Sequence, residues 1–209
     1  MENLYNKNWY ALNIDISTAL RDTFNPNEYY EQSEFKDKPG AAWEFRNEEL
    51  RKIFTDDWLF QMESLDLKIA SCMIFHRQPY YIHPEIHVDA YKTHTPVIYA
   101  LNWTLEENDD SEMVWYDIPV SLDDQSISTT YNKWWIDSMP PPYKCWPMDG
   151  NYPELERRAI SNIMTLVNVS VPHNVIVNKK PRWCFSVRMH KPISNWREAV
   201  EYFKPFIMK

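Results

Sequence analysis

From Leu67 onward the chain is a succession of short apolar runs, LKIASCMIFH, IYALNWTL, SEMVWYDI, IMTLVNVSV, HNVIV and RWCFSVRM, separated by clusters of Pro, Asn and Asp. Runs of this length, rich in β-branched and aromatic residues and bounded by turn-formers, predict strands. No helical periodicity interrupts them, so the strands are expected to pair antiparallel in a sandwich or jelly roll. Upstream, residues 7–14 (KNWYALNI) predict an opening strand. Over 45–63, Phe45, Leu50, Ile53, Phe54, Leu59 and Met62 recur at roughly helical spacing and predict a helix that covers one face of a sheet. A second amphipathic helix is expected from Asn195 to Phe206. The pattern describes a mainly β fold with flanking α-helices.

At 209 residues the chain is expected to form one domain. Residues 1–66 read as its N-terminal strand and helical support, 67–190 as the jelly-roll core, and 191–209 as the C-terminal helix. Within the core, residues 119–154 read as an irregular loop holding Trp134, Trp135, the Pro140-Pro141-Pro142 run and Trp146. Loops of that length in compact domains often serve as lids or binding surfaces. Pro140-Pro141-Pro142-Tyr143 also matches the PPxY pattern that WW domains read, although a stiff loop packed by its own aromatics is the plainer reading.

Composition narrows the chemistry. Fifteen Pro against two Gly argues against a glycine-rich phosphate cradle, and two glycines leave no room for a Gly-x-Ser-x-Gly elbow. A formal net charge of -8 disfavours a broad nucleic-acid footprint, which needs Lys and Arg. Cys72, Cys145 and Cys184 are odd in number and far apart, so they form neither a disulfide framework nor a CxxC metal site, and a reducing cytoplasm fits them best. The N-terminus lacks the basic and apolar regions of a secretory leader, and no apolar run approaches a membrane span. The sequons at Asn102 and Asn168 lie in strand-like segments and read as chance matches.

Candidate chemistry gathers in three places. In His87-Val88-Asp89, residues two apart on an extended chain point to the same side, so an imidazole and a carboxylate can converge on one ion. His173 follows Pro172 at the junction of two apolar strands. Taken singly it is an ordinary hydrogen-bonded histidine, but with His87 and Asp89 it completes two histidines and one carboxylate. That set can occupy one face of an octahedral metal and leave the other open. Arg182, nine residues after His173, offers a guanidinium fork suited to a carboxylate. Arg188 shares its strand parity and competes for that role. His83 and Glu85 alternate with His87 and Asp89, which leaves a second metal arrangement open. His76, His94 and His190 read as surface or supporting residues.

The order HVD, then YALNW, then LVNVSVPHNVIVNKKPRWCFSVRM resembles the iron(II) and 2-oxoglutarate dependent oxygenase superfamily over roughly Leu67 to His190. The resemblance implies a double-stranded β-helix core of the jelly-roll, cupin-like kind. It implies iron(II) on His87, Asp89 and His173, and Arg182 on the C5 carboxylate of the cosubstrate 2-oxoglutarate. Asn102 is a further candidate for a polar contact to the cosubstrate, with Ile98 and Ala100 expected on the same inward face. The implied activity is a dioxygenase that consumes dioxygen, releases succinate and carbon dioxide, and hydroxylates a C–H bond of an amino-acid, peptidyl or other small-molecule substrate. Relatives that halogenate carry a small residue where Asp89 stands, which favours hydroxylation. The chain departs from the common Arg-x-Ser pattern, having Arg182-Trp183-Cys184. Two alternatives remain: a cupin-like metalloenzyme that does not use 2-oxoglutarate, and a non-catalytic jelly-roll binding protein. Removal of Asp89 is expected to leave the fold largely intact.

Overall fold

The computed structural model describes residues 4–36, 38–82, 85–89, 97–105, 110–120 and 144–209. Among them the chain runs β1 (Trp9–Ala11), α1 (Pro26–Glu31), β2 (Gly40–Arg46), a 3-10 helix (Asn47–Lys52), α2 (Asp56–Ser64), β3 (Ile69–Arg77), β4 (Glu85–Val88), β5 (Tyr99–Thr104), β6 (Ser111–Tyr116), β7 (Lys144–Pro147), β8 (Glu154–Ala159), β9 (Thr165–Asn168), β10 (His173–Val177), β11 (Arg182–Met189), α3 (Trp196–Phe203) and a closing 3-10 turn (Lys204–Phe206). The strands form two antiparallel sheets, ordered β1-β9-β5-β11-β3-β2 and β7-β4-β10-β6-β8. This is a mainly β, jelly-roll arrangement of two sheets rather than a closed barrel. No helix among the described residues is long and apolar enough to cross a membrane.

Alternation along the strands sorts the side chains into layers. One face of the six-stranded sheet presents Cys72, Ile74, Leu101, Trp103, Leu166, Phe185 and Val187 to Trp58 and Met62 of α2 and to Ala199, Val200 and Phe203 of α3. Trp103 and Phe185 stack there with ring centroids 5.3 Å apart. The opposite face of that sheet meets the five-stranded sheet through Ala100, Met113, Trp115, Val167 and Val169. Each fully buried aromatic or aliphatic side chain contributes about 1.5–3 kcal/mol through the area it removes from water. The helix-covered layer, richest in Trp and Phe, is therefore the main source of stability.

β10 and β11 coincide with the predicted runs, β1, β5, β6 and β9 lie within theirs, and β3 extends one residue past its run, to Arg77. The predicted helix over 45–63 is instead three elements. Phe45 lies in β2, Asn47 takes a left-handed backbone (φ 51°) that interrupts any continuous helix, and α2 starts afresh where the Thr55 hydroxyl accepts from the Trp58 amide at 3.2 Å. Phe45, Leu50, Ile53, Phe54 and Met62 do share one core cluster, but they reach it from different elements. β1 and β2 from the N-terminal support segment belong to the six-stranded sheet. The expected 119–154 loop contains β7 and the start of β8, while its residues 121–143, with the PPxY stretch, lie outside the described residues. β8 escapes sequence reading because it is a charged edge strand. Its Arg157 pairs with Glu112 and Glu154, each at 2.8 Å, a composition that discourages edge-to-edge association.

His76, expected at the surface or in a supporting role, is buried on the helix-covered face between Tyr30 and Trp183, with ring centroids 4.3 and 4.4 Å away. Burial, and after it the Arg77 charge, pulls its pKa from the ordinary 6.5 down to about 4. The folded state therefore disfavours the proton that the unfolded state accepts, and this residue erodes stability as pH falls from about 6.5 to about 4. His76→Phe should flatten that part of the stability-against-pH curve relative to wild type. Urea unfolding at pH 7 and pH 5 measures it, and parallel curves for the two proteins would contradict the assignment.

Candidate functional site

His87 and His173 occupy directly paired positions on adjacent antiparallel strands, β4 and β10. Facing residues in such a ladder bring their side chains together on one side, and the two imidazole centroids are 4.5 Å apart. Asp89 lies one residue beyond β4. Its amide donates to the Val169 carbonyl and its carbonyl accepts from the Val97 amide, both at 3.1 Å, which turns the carboxylate back toward the histidines. Asp89 Oδ1 is 3.6 Å from His87 Nε2 and 3.8 Å from His173 Nε2. One ligand atom from each of the three residues falls within a 4.8 Å cluster.

The tautomers suit a cation at the centre. His173 Nδ1 lies 2.9 Å from the Val171 carbonyl and donates to it, so the lone pair resides on Nε2, the nitrogen that faces Asp89. His87 Nδ1 is directed more loosely at the Glu85 carbonyl, 3.4 Å away. Burial is the largest influence on both imidazoles and holds them in the neutral form, that of His87 down to about 4. Burial pushes the Asp89 carboxyl upward, but His173, Arg188 and His87 together outweigh it and keep the group ionised. Two neutral imidazoles and one carboxylate, presented through unprotonated atoms, form a donor set that fits a divalent transition metal.

Arg188, the competitor for the cosubstrate, shares the parity of Arg182 but serves elsewhere. Its Nη2 donates to Asp89 Oδ2 at 2.7 Å, and its Nη1 donates to the Ser186 hydroxyl at 2.6 Å. Asp89 thus has one oxygen held by Arg188 and the other turned to the histidines. This contact gives Asp89 a structural role as well, because its loss strands a guanidinium that is only 7% exposed.

Beside the triad, a narrow cavity of about 60 Å³ runs between the sheets, lined among others by Phe75, Arg77, Asn102, Arg182, Cys184 and Ser186. Arg182 and Asn102, both singled out in the sequence, are buried here. Among the described residues, Arg182 Nε and Asn102 Oδ1 have no hydrogen-bond partner. Buried polar atoms without partners are costly, and their presence at one cavity wall points to a polar occupant. Ala100 shares the inward face with Asn102 as expected, whereas Ile98 packs with the helix-covered core. Cys184 lines the cavity where the common pattern has a serine. His190 is exposed, and His83 and His94 lie outside the described residues. Sequence reading missed Arg77, a charged residue at the end of the apolar run of β3 whose parity is its one visible signal.

No protein-family model and no curated protein matches the sequence. Among solved structures, the chain is similar to HygX from Streptomyces hygroscopicus, crystallised with nickel, 2-oxoglutarate and hygromycin B bound. The match covers 82% of this chain and 83% of that one, at 10% identity and a TM-score of 0.29. A likeness of that degree decides nothing about this chain, and its own geometry carries the functional reading.

Cobalt(II) supplied at a hundredfold its dissociation constant should stabilise the folded protein by about 2.7 kcal/mol. For a chain of this size that corresponds to roughly 5–10 °C in Tm. His173→Ala should lose the increment, read against that variant's own metal-free Tm, which the loss of a buried side chain lowers. Asp89→Ala should lose the increment and also melt lower without metal, by about 1.5–3 kcal/mol for the orphaned charged hydrogen bond. Thermal melts of the three proteins with and without cobalt(II) make the comparison, and an undiminished increment in His173→Ala would remove His173 from the site.

Proposed function

We propose that the protein is an iron(II) and 2-oxoglutarate dependent dioxygenase that hydroxylates a C–H bond of an amino-acid, peptidyl or other small-molecule substrate. The observation that carries the reading is a single inter-sheet cavity with the His87-Asp89-His173 cluster together with Arg182, a buried cation whose Nε has no partner among the described residues. A metal-binding jelly roll without this cosubstrate has no need of a buried arginine on that wall. The bound iron and cosubstrate would supply the oxidising chemistry, with 2-oxoglutarate converted to succinate and carbon dioxide as dioxygen is consumed.

The protein's own part is to bind, orient and exclude water. His87, Asp89 and His173 would hold the metal, and the tautomer set at His173 by the Val171 carbonyl keeps its Nε2 available. Arg188 fixes Asp89 through Oδ2, so that Oδ1 is the oxygen presented to the centre. Arg182 receives the C5 carboxylate through a charge-assisted fork. Asn102, directly paired with Ser186 across the β5–β11 ladder, can turn its amide nitrogen toward the same ligand. The apolar parts of the wall, Phe75, Met113, Val169 and Val175, keep the interior dry, which strengthens each charge contact. The narrowness of this interior suits a small dicarboxylate.

Succinate release from 2-oxoglutarate, measured with iron(II), dioxygen and a panel of free amino acids and peptides, tests the proposal. Arg182→Ala should raise the apparent KM for 2-oxoglutarate by roughly ten- to a hundredfold, since such a pair is worth about 1.5–3 kcal/mol and each 1.4 kcal/mol is tenfold. Arg182→Lys should recover part of the loss. Metal binding without any 2-oxoglutarate turnover, and with no effect of Arg182→Ala on 2-oxo acid binding, would favour a cupin-like metalloenzyme of another kind.

A further inference from the structure

We infer that the anion pocket has two cationic walls, with Arg77 acting beside Arg182 as a specificity-determining residue that makes the site select dicarboxylic over monocarboxylic 2-oxo acids. The inference rests on the oxygenase reading above and adds to it a residue on a different strand. Arg77 and Arg182 are directly paired across the β3–β11 ladder, so their side chains leave the sheet side by side on the face that lines the cavity. Both are almost fully buried, at 5% and 4% exposure.

Arg77 is held at this wall from several directions. Its Nη1 donates to the Ala41 carbonyl at 3.0 Å and to the His76 carbonyl at 2.9 Å, and its guanidinium carbon lies 5.2 Å from the centre of the Phe75 ring and 5.0 Å from that of Tyr81. Room for it comes from Gly40, the next residue along the same row of the sheet. A Cβ at Gly40 would lie 3.2 Å from both the Cδ and the Nη1 of Arg77. One of the chain's two glycines is thus placed where it lets this guanidinium lie flat against β2.

Facing like charges in a sheet repel, and burial denies them the screening of water. Burial most of all, and the Arg182 charge as well, depress the proton affinity of Arg77, with Tyr81 acting in the opposite sense. An anion in the cavity relieves that repulsion, and the relief is greatest for a carboxylate reached by both guanidinium groups. A 2-oxo acid that ends in a methyl group would leave both cations buried against an apolar tip.

Calorimetric titration of 2-oxoglutarate and of 2-oxobutyrate into the cobalt(II)-loaded protein tests the inference without requiring turnover. Wild type should bind 2-oxoglutarate at least about a hundredfold more tightly than 2-oxobutyrate. Arg77→Gln should weaken 2-oxoglutarate about tenfold and leave 2-oxobutyrate unchanged, so the preference narrows, with cobalt(II) affinity intact. Arg77→Lys, which keeps the charge and disturbs the strand less, should lie between the two and serves if the glutamine variant does not fold. A preference that stays at the wild-type value in the Arg77 variants but collapses in Arg182→Gln would overturn the role of Arg77 and leave the oxygenase reading standing. Failure of the cobalt-loaded wild type to bind either acid would overturn both.

Discussion

The contact between Asp89 and Arg188 joins the two sheets at the site and sets the orientation of the carboxylate there. Asp89 follows a strand of the five-stranded sheet, and Arg188 sits near the end of a central strand of the six-stranded sheet. At 2.7 Å the pair is a charge-assisted hydrogen bond, and it leaves one carboxylate oxygen directed at two imidazoles that strand pairing has already brought face to face. A carboxylate left to rotate could take up either oxygen or both. Here the choice has been made by a neighbour that does not itself line the cavity.

That arrangement also explains how one chain can keep several cations in its interior. Arg188 is balanced by Asp89. Arg182 and Arg77 lie farther along the same pair of strands, with Cys184 and Ser186 between Arg182 and Arg188 on one face. The interior therefore divides along its length into an end of histidines and carboxylate and a guanidinium-rich end. A small molecule carrying a chelating group at one terminus and a carboxylate at the other matches both ends at once.

Much of this could be read from the sequence where a single strand held the information. The runs HNVIV and RWCFSVRM are apolar enough to stand out and coincide with β10 and β11, and the spacing of His87 and Asp89 places both on one side of an extended chain. What escaped reading depends on contacts between segments far apart. The periodicity of 45–63 resembles one helix because Phe45, Leu50, Ile53 and Met62 converge on one core from a strand, a 3-10 turn and a helix. The partner of Asp89 was not legible, since Arg182 and Arg188 have the same parity and only the meeting of the two sheets decides which one reaches the carboxylate. Arg77 was missed because a charged residue closing an apolar strand ordinarily reaches solvent, and Gly40, which leaves room for it, and Ala41, whose carbonyl holds it inward, lie on another strand.

Diffraction at an anomalous wavelength from crystals soaked with manganese(II) and 2-oxoglutarate under anaerobic conditions tests the central claim most directly. The account predicts one strong metal peak about 2.0–2.3 Å from His87 Nε2, His173 Nε2 and Asp89 Oδ1. Density for 2-oxoglutarate should run from that metal to a carboxylate seated on Arg182. A metal peak away from these three atoms, or a cosubstrate whose far carboxylate lies anywhere but against that guanidinium, would contradict it.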